Sequence, residues 1–274
     1  MPSLYLSDYD KKNKDQIVAI VKGDNKHYNN KLLYVNEDVK KDTKKTKIEI
    51  PDGCLFSLCP STDENKRDVY YIAGASGAGK SYLCKTYIEN YQKLYPERPV
   101  YLISKLDHDD TLDEMNDPPI RLNIDDFILK PFNVNDHANS LWIFDDYDAF
   151  EKKPLEVVTN IIDQIATMGR KHVTKKKGDK NGADEQGCIS MICISHHITN
   201  YKKTSIILNE STHIVVYPHA TNWKSLKYIC EVYMGIDPNE VKELRKLQSR
   251  WVCFYTRYPR FMVSQQFSKL LNTD

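Results

Sequence analysis

Residues 70 to 91 read YYIAGASGAGKSYLCKTYIENY. An apolar run enters a glycine-rich turn, passes a lysine and a serine, and leaves through a pattern with helical spacing. Gly74 to Ser81 match GxxxxGK[ST] in full, and the flanking strand and helix are the context that this motif needs. Each position has its own physical reason. Glycines let the backbone wrap closely around phosphate, so that successive N–H groups and the helix N-terminus face the anion. Lys80 is expected to reach the β- and γ-phosphates of ATP, and Ser81 to ligate Mg2+. Gly74, Ala75, Ser76, Gly77, Ala78, Gly79 and Tyr82 complete the expected nucleotide-binding loop. The competing reading is a glycine-rich turn carrying a surface lysine.

Outward from this loop, strands and helices alternate from about residue 66. Strands are expected at 68–73, 99–104, 140–145, 189–195 and 213–217, and helices at 80–94, 154–168 and 238–247. Nearly continuous apolar strands separated by helices imply a mostly parallel sheet covered on both faces, an α/β fold. The segment RWVCFYTRYPRFMVSQQF adds two strands around a Tyr-Pro turn. Residues 1–65 read differently. QIVAIVKG, KLLYVNED and TKIEIPDGCLFSLCP are short apolar runs broken by polar turns, so a small β-rich N-terminal region precedes a domain at 66–274. The lysines of VKKDTKKTK, 39–47, are expected in a solvated loop.

Composition narrows the class. Lys+Arg 39 against Asp+Glu 38 leaves a net charge of +1, without the global basic signature of a nucleic-acid coat. No run approaches the roughly 18 to 20 apolar residues that span a bilayer, and the first residues turn polar too early for a secretory signal, so an intracellular setting is expected. Seven cysteines, without a CxxC pair, are expected as reduced thiols packed as small hydrophobes.

A magnesium site needs a carboxylate at the end of a neighbouring buried strand, and SLWIFDDYDAF supplies Asp145 and Asp146 after four apolar residues. Asp145 suits the metal-holding position and Asp146 that of base for an attacking water. The competing reading of two adjacent acids at this place is a cap on the next helix, and Asp148 is expected as a cap or turn residue. The strand ISMICIS ends in His196-His197. His196 is placed to sense the γ-phosphate or position water, or else is a histidine satisfied by hydrogen bonds at a strand end.

The order of GASGAGKS, LWIFDDYD, GRKH and ICISHHITNYKKTSIILNESTHIVVYP, with LQSRWVCFY beyond it, resembles the FtsK/HerA superfamily of P-loop motors. Within that superfamily it resembles the genome-packaging ATPases of large double-stranded DNA viruses and their virophages. The likeness covers residues 70 to 255, and it implies a RecA/FtsK-like P-loop fold with ATP and Mg2+ bound by Lys80 and Ser81. It further implies Asp145 as the metal carboxylate, Asp146 at the catalytic acid position and His196 as the sensor. The family more often carries Glu at the position of Asp146 and Gln at that of His196, and an Asp reaches ~1.5 Å less than a Glu. Also implied are a homo-oligomeric ring, double-stranded DNA as partner, capsid or portal-vertex proteins as further partners, and a place at the virus assembly site in host cytoplasm or on the virion. Ring motors complete each site with an arginine in trans; Arg170 is the first candidate here and Arg250 the second. The insert at 173–187, with Lys175, Lys176, Lys177 and Lys180, is either a solvated loop or a contact to DNA phosphates.

Two other functions fit the same loop. A nucleotide or small-molecule kinase needs an acceptor site and usually an arginine-rich lid, whereas the insert has no arginine. A switch-like binding module needs no hydrolysis, against which the pair Asp145 and Asp146 speaks.

Overall fold

The computed structural model describes residues 2–37, 45–64, 66–170, 174–175, 185–198 and 201–271. Along the chain, strands β1 (Ser3–Ser7), β2 (Gln16–Gly23), β3 (Leu32–Asn36), β4 (Lys47–Glu49) and β5 (Cys54–Leu58) come first. Then β6 (Val69–Ala73), helix α1 (Lys80–Leu94), β7 (Val100–Ser104), α2 (Asp110–Asp113), β8 (Ile120–Arg121), α3 (Ile124–Leu129), β9 (Ser140–Asp145) and α4 (Lys152–Met168) alternate. The two-residue strands β10 (Thr174–Lys175) and β11 (Glu185–Gln186) pair with each other, antiparallel. After them come β12 (Ile189–Ser195), α5 (Tyr201–Glu210), β13 (His213–Val216), α6 (Trp223–Lys227), α7 (Pro238–Leu244), β14 (Val252–Tyr255), β15 (Phe261–Ser264) and β16 (Phe267–Leu270).

Ten of these strands form one sheet in the order β4-β16-β15-β14-β13-β6-β12-β9-β7-β8. From β13 to β8 the pairings are parallel, and β14, β15, β16 and β4 extend the sheet with antiparallel pairings. The central strands are apolar at every second position on both faces, which is why they read as continuous apolar runs. Val69, Tyr71, Trp142, Phe144, Met191 and Cys193 join one core with α4 and the helices that follow β12. Tyr70, Ile72, Leu141, Ile143, Ile192 and Ile194 join a second core with α1. A smaller antiparallel sheet, β1-β3-β2-β5, packs into that second core through Leu4, Val21, Leu33 and Phe56.

Among the described residues of this N-terminal region, β4 is the strand that joins the large sheet, pairing with β16. Between β4 and β5 the chain reverses at Pro51-Asp52-Gly53, where the Cys54 N–H donates to the Pro51 carbonyl and Gly53 has φ 78. Of the lysine-rich stretch 39–47, residues 39–44 lie outside the described residues, as do Lys176, Lys177 and Lys180 of the insert.

The strands β6, β7, β9, β12 and β13 and helix α1 fall where the apolar runs place them, whereas β1, β8, β10 and β11 were not expected. Elsewhere the structure corrects the expectation. The C-terminal segment makes three strands, because Gln265 and Gln266 form a second reversal in which the Phe267 N–H donates to Ser264 Oγ. Helix α7 stops at Leu244, short of 247. Beyond it Ser249 is buried, donating to the Trp251 carbonyl and accepting from the Gln265 N–H, which draws the chain off the helical path. Helices α2, α3, α5 and α6 were not among the expected elements; α6 continues into a π-helical turn at Tyr228–Tyr233. All seven cysteines are free thiols and six are buried. Among the described residues no helix is long and apolar enough to cross a membrane.

Candidate nucleotide site

The loop between β6 and α1 has its glycines where the backbone requires them. Gly77 has φ 73 and Gly79, the residue before the helix, has φ 101, both in the left-handed region. A Cβ at Gly74 lies 2.7 Å from the ring of Tyr217, so that position admits no side chain without a shift. Helix α1 has no acidic residue in its first turn and no side-chain cap, which leaves its leading N–H groups and positive dipole end for an anion. Gly79→Ala is expected to cost roughly 1–2 kcal/mol in urea unfolding, from the left-handed backbone alone. No atom lies within 4 Å of the added Cβ. An unchanged midpoint would mean that the loop relaxes to negative φ.

Strand register then assembles the site. β12 lies between β6 and β9, pairing Ser195 with Ala73 and Cys193 with Phe144. One residue further, His196 therefore emerges between the start of the loop and Asp146. Lys80 folds back over its own loop, where Nζ donates to the carbonyls of Gly74 at 2.9 Å and Ala75 at 3.2 Å and meets His196 Nδ1 at 3.2 Å. An ammonium donates only, so Nδ1 is the acceptor and the imidazole proton sits on Nε2, which donates to Asp146 Oδ2 at 3.0 Å. Lys80 is buried, and desolvation pulls its pKa down against the opposing charges of Asp146, Asp145 and Asp148.

Asp145, at the tip of β9, is buried and pushed up to about 6, first by burial and then by the charge of Asp146. The β7–β9 register sets Ser104 opposite Asp145, and Ser104 Oγ donates to Asp145 Oδ2 at 3.1 Å. Asp146 follows in a left-handed conformation, φ 46 and ψ 39, and its Oδ1 is buried without a hydrogen-bond partner. A buried carboxylate at Asp145 that resists ionisation fits a hard divalent cation, whose charge would offset the desolvation, and the orphaned Oδ1 of Asp146 beside it is open to a water. Ser81 Oγ faces Asp109 Oδ2 at 3.4 Å. Asp109 had no place in the sequence reading; it comes from the acidic stretch after β7, whose only signal was its position beyond a strand adjacent to β9.

The remaining candidates separate. Asp148 lies in the 3-10 turn after β9 and accepts from Ser195 Oγ at 2.8 Å, tying β9 to β12 at their tips. The Tyr71 hydroxyl donates to the His197 carbonyl in the same brace. Tyr82 points outward and is 68% exposed. Arg170 follows α4, where the Ile189 N–H donates to the Gly169 carbonyl at the start of β12. That is the opposite end of the strands from Lys80, so Arg170 does not join the site of its own chain. Arg250 does lie near it, lining an open groove of about 500 Å³ with Gly77, Ala78, Tyr217, His219 and Gln265. A second groove of about 230 Å³, on the His196 side of the loop, includes Gly74, Ala75, Thr221 and Asn222.

No family model matches the chain. Uncharacterized protein V3 of Sputnik virophage is 29% identical over 247 residues, spanning 89% of this chain and 91% of that protein. Among solved structures, the fold is similar to B204, the DNA-packaging ATPase of Sulfolobus turreted icosahedral virus. That likeness has 17% identity, 74% of this chain, 98% of the other and a TM-score of 0.48. The pCW3 conjugation coupling protein TcpA, in its monomer form with ATPγS, shares 10% identity over 91% of this chain and 77% of its own, with a TM-score of 0.46. The B204 of Sulfolobus turreted icosahedral virus 2 is known in complex with AMP, AMPPCP and ATPγS.

Proposed function

We propose that this chain hydrolyses Mg-ATP and uses the energy to move double-stranded DNA into a viral capsid, working as a homo-oligomeric ring. One observation carries the hydrolytic part: Lys80, His196 and Asp146 form a single hydrogen-bonded line from the loop to a carboxylate with a free oxygen. Magnesium, held by Ser81 and Asp145, would neutralise charge between the phosphates. On ATP binding, Lys80 exchanges the carbonyls of Gly74 and Ala75 for phosphate oxygens. His196 keeps Asp146 Oδ2 fixed, so that Oδ1 is left to accept a proton from the attacking water. The strand-tip brace through Asp148 and Ser195 holds these groups in place while the lysine changes partners.

The DNA and capsid part rests on the order of the sequence blocks. Arg170, at the far end of the strands, is the candidate for completing the site of a neighbouring subunit, and Arg250 for a contact to nucleotide beside its own loop. Assembly-site cytoplasm or the virion is the setting this reading implies. Purified protein is expected to turn over ATP faster with duplex DNA, in a salt-dependent manner, and to form a ring with a non-hydrolysable analogue and DNA. DNA-independent turnover without DNA binding would exclude translocation, and phosphate transfer to a nucleoside monophosphate would replace it by a kinase.

A further inference from the structure

Two serine hydroxyls approach the site, and each has its own carboxylate. Ser104 donates to Asp145, whereas Ser81 donates to Asp109, which projects from the segment after β7. A hydroxyl that ligates a cation through its lone pair must send its proton elsewhere. The bond from Ser81 to Asp109 is long at 3.4 Å, and hydrogen bonds of this kind tighten when substrate binds.

Asp109 is not a loosely held surface acid. Its Oδ1 accepts the N–H groups of Thr111 at 2.8 Å and Leu112 at 3.0 Å, capping α2 and leaving Oδ2 turned to Ser81. Its own N–H donates to Asp113 Oδ2 at 2.7 Å. Asp113 is gripped in turn by Arg121 from β8, through Nη2 at 2.5 Å and Nε at 3.3 Å, while Arg121 Nη1 donates to the Leu106 carbonyl. Burial pushes the Asp113 carboxyl up, but the bond from Arg121, the Asp109 N–H and the charge of Arg121 hold it below its ordinary value. The edge strand of the sheet is thereby connected to the metal-binding serine.

We infer that Asp109 is a positioning residue: it takes the Ser81 hydroxyl proton as a hydrogen-bond acceptor, so that the Ser81 oxygen presents a lone pair to the metal. This rests on the proposed Mg-ATP site. The role differs from that of Asp145, whose Oδ2 is occupied by Ser104.

Asp109→Asn separates positioning from structure. Asn caps a helix about as well as Asp and keeps Oδ1 for Thr111 and Leu112, while Oδ2 becomes an NH2 group that cannot accept from Ser81. The readout is binding of a fluorescent N-methylanthraniloyl-ATP, titrated with MgCl2. The expected result is a Mg2+ half-saturation raised by about 10-fold, with unchanged binding in EDTA and an unchanged thermal midpoint. On a Ser81→Ala background the same change should shift nothing further, because both act through one bond. An unaltered half-saturation in Asp109→Asn, or an equal shift on the Ser81→Ala background, would overturn the inference while leaving the nucleotide site standing. Wild-type protein that binds the probe under no condition would overturn the nucleotide reading and this inference with it.

Discussion

Replacing Lys80 by Ala should lower ATP turnover by about 100-fold or more, the scale on which a single charge-stabilising donor acts. Two effects combine. The γ-phosphate loses the cation that balances charge as it transfers, and His196 Nδ1 loses the donor that fixes its tautomer. With Nδ1 free, the imidazole proton can sit on either nitrogen, and the hold on Asp146 Oδ2 weakens. Arginine is no substitute, because a planar guanidinium does not fit a buried ammonium that faces two loop carbonyls and an imidazole. Turnover measured beside a far-ultraviolet circular dichroism spectrum separates chemistry from folding. Turnover within a few-fold of wild type, on a folded protein, would reduce Lys80 to a brace of its own loop.

The second large effect is at Asp145 and has opposite signs with and without ligand. Its carboxyl stands at about 6 against an ordinary 3.8, so the folded chain keeps this proton after the unfolded chain has lost it. Stability therefore falls as pH rises from about 4 through about 6, and remains lower above that window. A shift of this size corresponds to roughly 3 kcal/mol at most, and less where water reaches the group. Asp145→Asn cannot ionise and keeps an acceptor for Ser104 Oγ. Without ligand it should be more stable than wild type by about 2 kcal/mol near pH 7.5 and equal to it near pH 4, in urea unfolding. With Mg2+ and ATP the order should reverse, since only the carboxylate binds the cation. A variant less stable than wild type near pH 7.5 without ligand would mean that Asp145 is not under strain.

The parts of the fold that were legible in the sequence are those buried on two faces. β6, β9 and β12 are short apolar runs because both sides of the sheet are covered, and Gly77 and Gly79 mark a backbone that only glycine adopts freely. Asp145 could be read because it ends such a run. Asp109 could not, because the segment after β7 contains several acids and nothing local distinguishes the one that meets Ser81. That choice is made by the pairing of β7 with β9 and by the grip of Arg121 on Asp113, both products of tertiary structure. The same is true of His196: its strand was plain, but its contact with Lys80 and Asp146 comes from β12 lying between β6 and β9. The reversal at Gln265 and Gln266 was hidden for a different reason, since polar residues closing one strand look the same whether or not another strand follows.

The strand Lys47–Glu49, three residues long, occupies the edge of the ten-stranded sheet beside β16. From it an unbroken series of hydrogen-bonded ladders runs through β16, β15, β14 and β13 to β6, whose last residue, Ala73, opens into the phosphate loop. The N-terminal segment and the loop are therefore two points on one girder. The backbone that carries Gly74 to Lys80 thus departs from a strand held on both sides, by β13 and by β12.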